Sequence, residues 1–483
     1  MRREESRVLL VVCLGTFFHI QSVGSISVSL SAIQKEFDTS LAAVQWIGLI
    51  GAIMLSSLSL CFGRAGDILG RRTIFKIGLT LYTAGAGLAA FSGTLPHLLA
   101  FRCLMALGLA MAAPLAAAII ASVHGHESRG RALGLLAASI ALGRTTGPTI
   151  GGLILHLWGW RAVFFANCIF GIATCLTLFS IFKGKEERRQ VSVDYLGVIS
   201  LVIGFPSFLI ALTVGTRSGW DVSEIVLWLV LATAGIISFV WSELRTKEPL
   251  MNLRYFRSIP FVRSMLSLVL ATLAFYPVAI FGPLYLLNVI GASPLTAGLA
   301  MATLPLCTTL LSPLSGRLAD RFYSRWLAIF GLCIILLGVF FYARLGEDST
   351  LIWIVFVLSI LGAGIGLFVP ANEKAAFSTV ASRDYGMLSA MLTAFGTGSG
   401  ALGTTVAAAL AEIAKKGRVS GDAARFADDQ QFAFSLLLPL AALAVVVTMV
   451  GKRGRVERSG FDLDDLGWAI LSSSFHSVLG NHQ

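Results

Sequence analysis

The sequence predicts an all-α transmembrane fold of fourteen helices, and three observations carry that prediction. The first is composition. Of 483 residues, 56% are hydrophobic and 13% are charged, with a mean hydropathy of +0.81. A soluble domain carries about 25% charge, too much to be matched here, so lipid must be the main solvent. The second is the recurrence of apolar runs long enough to cross a bilayer, which takes about 20 residues each. The third is the placement of basic residues between those runs.

The runs lie near 8–30, 43–62, 74–93, 97–122, 132–155, 162–182, 195–215, 223–242, 264–288, 295–315, 326–343, 350–371, 386–411 and 432–450. They are called spans 1 to 14. Span 7 is the least regular, because Pro206 interrupts it. With the amino terminus inside, the segments expected inside hold roughly three quarters of the 37 Lys and Arg residues. Both termini are then cytoplasmic, in a cytoplasmic (inner) membrane. The segment at 412–431 runs against this bias, with four basic residues on the expected outer side. Arg2, Arg3 and Arg7 precede the first apolar run without an A-x-A site, so span 1 is expected to stay uncleaved.

The net charge of +11 reads as orientation in a membrane, not as affinity for nucleic acid. All seven cysteines sit in apolar runs, without disulfide or metal-ligand spacing. No phosphate-binding Gly-rich loop, paired-His zinc motif or nucleophile signature occurs. An enzyme, a cofactor and a metal are therefore not expected.

The chain repeats itself. After span 2 it reads Gly63-Arg64-Ala65-Gly66-Asp67-Ile68-Leu69-Gly70-Arg71-Arg72, and after span 10 Gly316-Arg317-Leu318-Ala319-Asp320-Arg321. Spans 1–6 and 9–14 would be equivalent halves, with spans 7 and 8 inserted. The expected segmentation is 1–182, 183–262 for the linker and inserted pair, 263–451, and a tail at 452–483. In the loops, Gly63 and Gly66 would permit close helix approach, Gly70 a tight turn, and Asp67 would reach Arg64, Arg71, Arg72, Arg129 or Arg131. These charges either latch a gate or merely set topology.

Gly143, Gly147 and Gly151 line one face of span 5, followed by Pro148 and Gly152 nearby. In span 1, His19, Ser22, Ser25 and Ser29 form one polar stripe, with Gln21 beside it. Such a stripe should face protein or water. His19 is either a proton carrier or a histidine satisfied by a neighbouring helix. Asn372 and Glu373 follow the glycine-rich part of span 12, and Glu373 and Lys374 either snorkel to the interface or take part in coupling. Arg102 and Arg144 lie about 9 Å and 10 Å from the expected outer face, each needing a partner that helices 1–6 do not supply as an acid.

The loop at 63–72 resembles the signature loop of the major facilitator superfamily, and the copy at 316–321 agrees with it. Gly143-x3-Gly147-Pro148-x2-Gly151-Gly152 resembles the helix-5 motif of its antiporters. The stretches 159–167, 293–299 and 364–372 resemble the fourteen-helix drug:proton antiporter branch. The resemblance covers residues 8–450. It implies two six-helix halves with a midplane site between them, a cytoplasmic gate at the signature loops, and proton-coupled export of small, largely apolar molecules by alternating access. An uptake symporter or facilitator for a small, possibly anionic, solute is the second expectation, and a non-transporting receptor or enzyme the third. Three positions depart from the branch: Ser22 stands where span 1 usually has an acid, Met105 where span 4 usually has Gln, and Arg144 where the helix-5 motif is usually small.

Overall fold

The computed structural model describes residues 3–123, 126–182, 195–217, 222–246, 251, 253–321, 324–380, 385–415 and 423–450. The described residues are helical, without a strand. Ten helices are long and apolar enough to cross a membrane, and two shorter apolar helices accompany them.

The helices follow the predicted spans one for one. They are α1 (Arg3–Glu36), α2 (Leu41–Leu69), α3 (Arg71–Ala90), α4 (Leu95–Val123), α5 (126–158), α6 (160–181), α7 (Tyr195–Arg217), α8 (Val222–Arg245), α9 (Ile259–Asn288), α10 (Pro294–Arg321), α11 (Ser324–Tyr342), α12 (Leu351–Phe377), α13 (Tyr385–Lys415) and α14 (Ala423–Met449). α5 and α6 run on without a loop, and the chain reverses between them at Gly159, whose φ of 80° and ψ of 176° suit glycine alone. Pro206 does not break α7. A turn at Tyr276–Pro277 divides α9 near its middle, because Pro277 has no N–H to give to Leu273.

Pseudo-symmetry is visible in the packing. α3 crosses α4 at glycines, where a Cβ on Gly108 would stand 2.3 Å from the Gly78 carbonyl oxygen. Eight helices on, α11 crosses α12 the same way, where a Cβ on Gly364 would stand 2.7 Å from Ile335 N. Small residues let helices touch through their backbones, which is how spans associate when lipid offers no hydrophobic drive. α5 of the first half packs on α10 of the second, and α13 of the second on α2 of the first. These two cross-half pairs are the same pair under the repeat.

The bundle has two ends, one carrying the α1–α2 turn and the other the α2–α3 turn. Described cross-half contacts gather toward the α1–α2 end. Ser31 donates to Asn288 Oδ1 at 2.6 Å, and a Cβ on Gly48 would meet Ile280 at 3.0 Å. Ile280 and Leu284 of α9 share a buried cluster with Ile26, Leu30 and Ile47 of the first half. At the same end Glu36 accepts from Trp160 Nε1 at 2.5 Å and pairs with Arg161, whose other nitrogen reaches the Ser92 carbonyl at 3.1 Å.

The inserted helices α7 and α8 cross at Gly204 and Gly235 and are linked by Ser200 and Ser238. Phe205 and Leu209 of α7 pack on α2 and α13 together, so the inserted pair sits over a seam between halves. Outward faces carry large exposed apolar side chains, such as Ile237 on α8 and Phe330 on α11. Exposed Trp158 and Trp326 mark helix ends, the position of interfacial aromatics.

Candidate functional site

α5 is the hinge plate of the molecule, because its glycines serve two neighbours on two faces. Residues 143, 147 and 151 face α1. A Cβ on Gly143 would stand 2.8 Å from the Phe17 carbonyl oxygen, one on Gly147 2.6 Å from that of Gln21, and one on Gly151 2.3 Å from Ser25 Cα. Residues 148 and 152 face α10. A Cβ on Gly152 would stand 2.4 Å from the Pro294 carbonyl oxygen, and one on Gly298 2.3 Å from that of Pro148. The notebook of contacts thus gives each small residue of the motif a backbone to lie against.

The polar stripe of α1 points into protein. His19, Ser22, Ser25 and Ser29 are all buried. Ser25 donates to the Gly147 carbonyl at 2.9 Å and accepts from Gln21 Nε2 at 2.8 Å. Ser22 donates to the His19 carbonyl. The His19 ring lies 4.6 Å from that of Tyr82 on α3, and its Nε2 is buried without a hydrogen-bond partner. Ser22, at the place of the usual acid, is therefore closed into packing and does not face an aqueous path.

Arg102 is buried, 3% exposed, and finds its partner in a carbonyl. Its Nε donates to Ile47 O at 2.9 Å, and Nη1 approaches Met105 Sδ at 3.9 Å. The residue that replaces the usual Gln is thus itself a contact of the arginine.

Arg144 shares the α5 stripe with Pro148 and Gly152 but lies one turn beyond their contact with α10, and it is exposed. Across from it stands Glu373. α12 presents Gly362 and Gly366 to α10, Gly364 to α11, and Asn372 to α9, where Nδ2 donates to the Ser264 carbonyl at 3.1 Å. Lys374 Nζ donates to the Ala319 carbonyl on α10 at 2.6 Å, so it is held within the protein. Glu373 falls on the remaining face, between the α9 and α10 contacts and away from α11. It lies within electrostatic reach of Arg144, as does Tyr276 at the break in α9. Glu373 and Lys374 belong to the last turns of α12 and do not follow it.

The signature loops are described in part. Gly70 has φ 103° and makes the turn from α2 to α3. Gly66 lies against α4, where a Cβ would collide with Leu115. Gly63 and Gly316 have open space around them, so close approach explains Gly66 and not Gly63. Arg71 reaches the Ala118 carbonyl at 3.5 Å and Arg72 lies 5.3 Å from the Phe182 ring. Arg64 and Arg317 stand on the last turns of α2 and α10. The side chains of Asp67, Arg129, Arg131, Asp320 and Arg321, and the tail at 452–483, lie outside the described residues. Among the described residues no group of three or more His, Cys, Asp or Glu is placed to hold a metal.

The sequence profile of the Major Facilitator Superfamily matches residues 12–287 and 264–475. The chain is 26% identical over 408 residues to the multidrug resistance protein Stp of Mycobacterium tuberculosis, covering 84% of this chain and 75% of that one. It is 26% identical over 400 residues to the lincomycin resistance protein LmrB of Listeria monocytogenes (83% and 85%), and 24% identical over 403 residues to the riboflavin transporter RibZ of Clostridioides difficile (82% and 86%). Among solved structures, a bacterial homolog of the human lysosomal transporter Spinster superposes with a TM-score of 0.69 at 17% identity, covering 93% of this chain and 97% of that one. The xylose transporter XylE from E. coli superposes with a TM-score of 0.64 at 15% identity, covering 95% and 99%.

Proposed function

The chain belongs to the Major Facilitator Superfamily, and we propose that it is a proton-coupled exporter of small, largely apolar molecules in the cytoplasmic membrane. The observation that carries this reading is the double-sided glycine seam of α5. It binds α1 and α10 through backbone contact, and its motif is the one that resembles antiporters. The relatives named for multidrug and lincomycin resistance support the same direction.

With both termini inside, as the distribution of Lys and Arg favours, the α1–α2 end is the outer one. The halves then meet at the outer end, which corresponds to an inward-facing state. The signature loops act at the other end, where Asp67 and Asp320 would latch the cytoplasmic side when the protein turns outward.

The coupling group in this reading is Glu373. Ser22 cannot carry a proton for coupling, and His19 is packed against Tyr82. Glu373 is half-buried, faces away from α11 and has the charge of Arg144 opposite, as a carboxylate that exchanges a proton for substrate requires.

The test is transport of a fluorescent substrate in inverted and right-side-out vesicles under an imposed pH gradient. Inverted vesicles with an acidic lumen should accumulate it. Glu373→Gln should abolish pH-driven uptake and keep passive exchange, while His19→Gln should keep both. Accumulation in right-side-out vesicles with the gradient inward would instead establish uptake. Unchanged pH drive in Glu373→Gln would remove this residue from coupling.

A further inference from the structure

Arg144 and Glu373 come from opposite halves and face a common space. Each is placed there by its helix. Arg144 continues the α5 stripe that touches α10 at Pro148 and Gly152, and it emerges where that contact ends. Glu373 occupies the one face of α12 left between its contacts with α9, at Asn372, and α10, at Lys374 and Gly366. The wall beside them is aromatic. Tyr276 sits at the turn in α9, its ring against Gly400 of α13, where a Cβ would approach to 2.6 Å. The Arg144 charge is felt at both Glu373 and Tyr276.

We propose that Arg144 and Glu373 form a two-charge site for a zwitterionic amphiphile, which places its anionic group on Arg144, its cationic group on Glu373 and its apolar body along Tyr276. The charge pattern selects this class. An anion drawn to Arg144 meets the like charge of Glu373, and a cation drawn to Glu373 meets that of Arg144. A zwitterion satisfies both, and a guanidinium suits a planar carboxylate in particular. On sequence alone Arg144 pointed to anionic or neutral substrates, and Glu373 opposite it moves the preference to molecules with both signs. The site deepens the reading above and rests on it in one respect, that the space between the halves is the substrate path.

Three dyes of similar shape separate the possibilities by fluorescence anisotropy on the full chain in nanodiscs. Rhodamine B carries both charges, its ethyl ester carries only the cation, and fluorescein is anionic. The expected order is rhodamine B at least about tenfold tighter than either other dye. Arg144→Gln should bring rhodamine B down to the level of its ester, and Glu373→Gln should bring it down to the level of fluorescein. The double exchange Arg144→Glu with Glu373→Arg keeps both charges and should restore the preference. Equal affinity of the wild type for all three dyes, or no binding of rhodamine B, overturns the proposal without reference to any variant. Export of the ester driven by pH and unaffected by Arg144→Gln and Glu373→Gln would keep the exporter reading and overturn this site. Rhodamine B bound in the expected order, with no pH-driven movement in either vesicle orientation, would keep the site and remove the exporter reading.

Discussion

Two glycines of this chain look alike in the sequence and differ in what surrounds them. Gly151 lies against Ser25, where a Cβ would stand 2.3 Å from a backbone atom, whereas Gly63 has nothing within 4 Å. Gly151→Ala should therefore lower stability by about 1–3 kcal/mol, the usual cost of overpacking. Gly63→Ala should be neutral or stabilising by up to about 1 kcal/mol, because it gains helix propensity at no steric cost. Thermal unfolding of the purified protein in detergent reads both. A loss at Gly63 as large as at Gly151 would mean that its neighbours are closer than described. The spacing of small residues made the α5 face legible, since 143, 147 and 151 fall on one side of a helix. The sequence could not say that Arg102 would bond a carbonyl 55 residues away, because a backbone acceptor leaves no mark on residue type. Nor could it say that Glu373 would face Arg144, which depends on how two halves meet.

At the level of single helices, the length of apolar runs decided the outcome, because every backbone polar group in lipid has to be satisfied within its own helix. That is why the fourteen runs were legible and why Pro206 left α7 unbroken. The joints were less legible. α5 passes into α6 through Gly159 alone, where the sequence suggested a short loop. Gly159 has open space around it, but its backbone lies in a region reserved for glycine. Gly159→Ala should cost about 1–3 kcal/mol through backbone strain and not through collision. Because ψ is 176°, Gly159→Asn should not rescue it, as asparagine favours the left-handed helical region instead. Equal melting temperatures for the wild type and Gly159→Ala would show that the joint does not hold this conformation. The clasp of Trp160 and Arg161 on Glu36 follows directly after that joint, so a strained turn there also loosens the tie to α1.

Across the whole molecule, the repeated Gly-Arg-x-small-Asp loops made the two halves legible, and the packing adds how they engage. α5 meets α10 and α13 meets α2, the same contact twice under the repeat. Small residues form the first seam, and α7 covers part of the second. Alternating access requires the end at which the halves touch to separate during each cycle. Ser31 and Asn288 are suited to test this, since they belong to α1 and α9, lie outside both seams, and stand 2.6 Å apart. Ser31→Cys with Asn288→Cys should form a disulfide on mild oxidation and hold that end shut. Transport in vesicles should then fall at least about tenfold, and dithiothreitol should restore it, as expected when one of two states is removed from the equilibrium. Each single cysteine, treated the same way, should transport normally. Binding of a substrate offered from the opposite end should survive in the locked protein, because the cavity there is still reachable. An oxidised pair that transports at the wild-type rate would show that this contact does not have to open, and the moving boundary would then have to be sought elsewhere in the bundle.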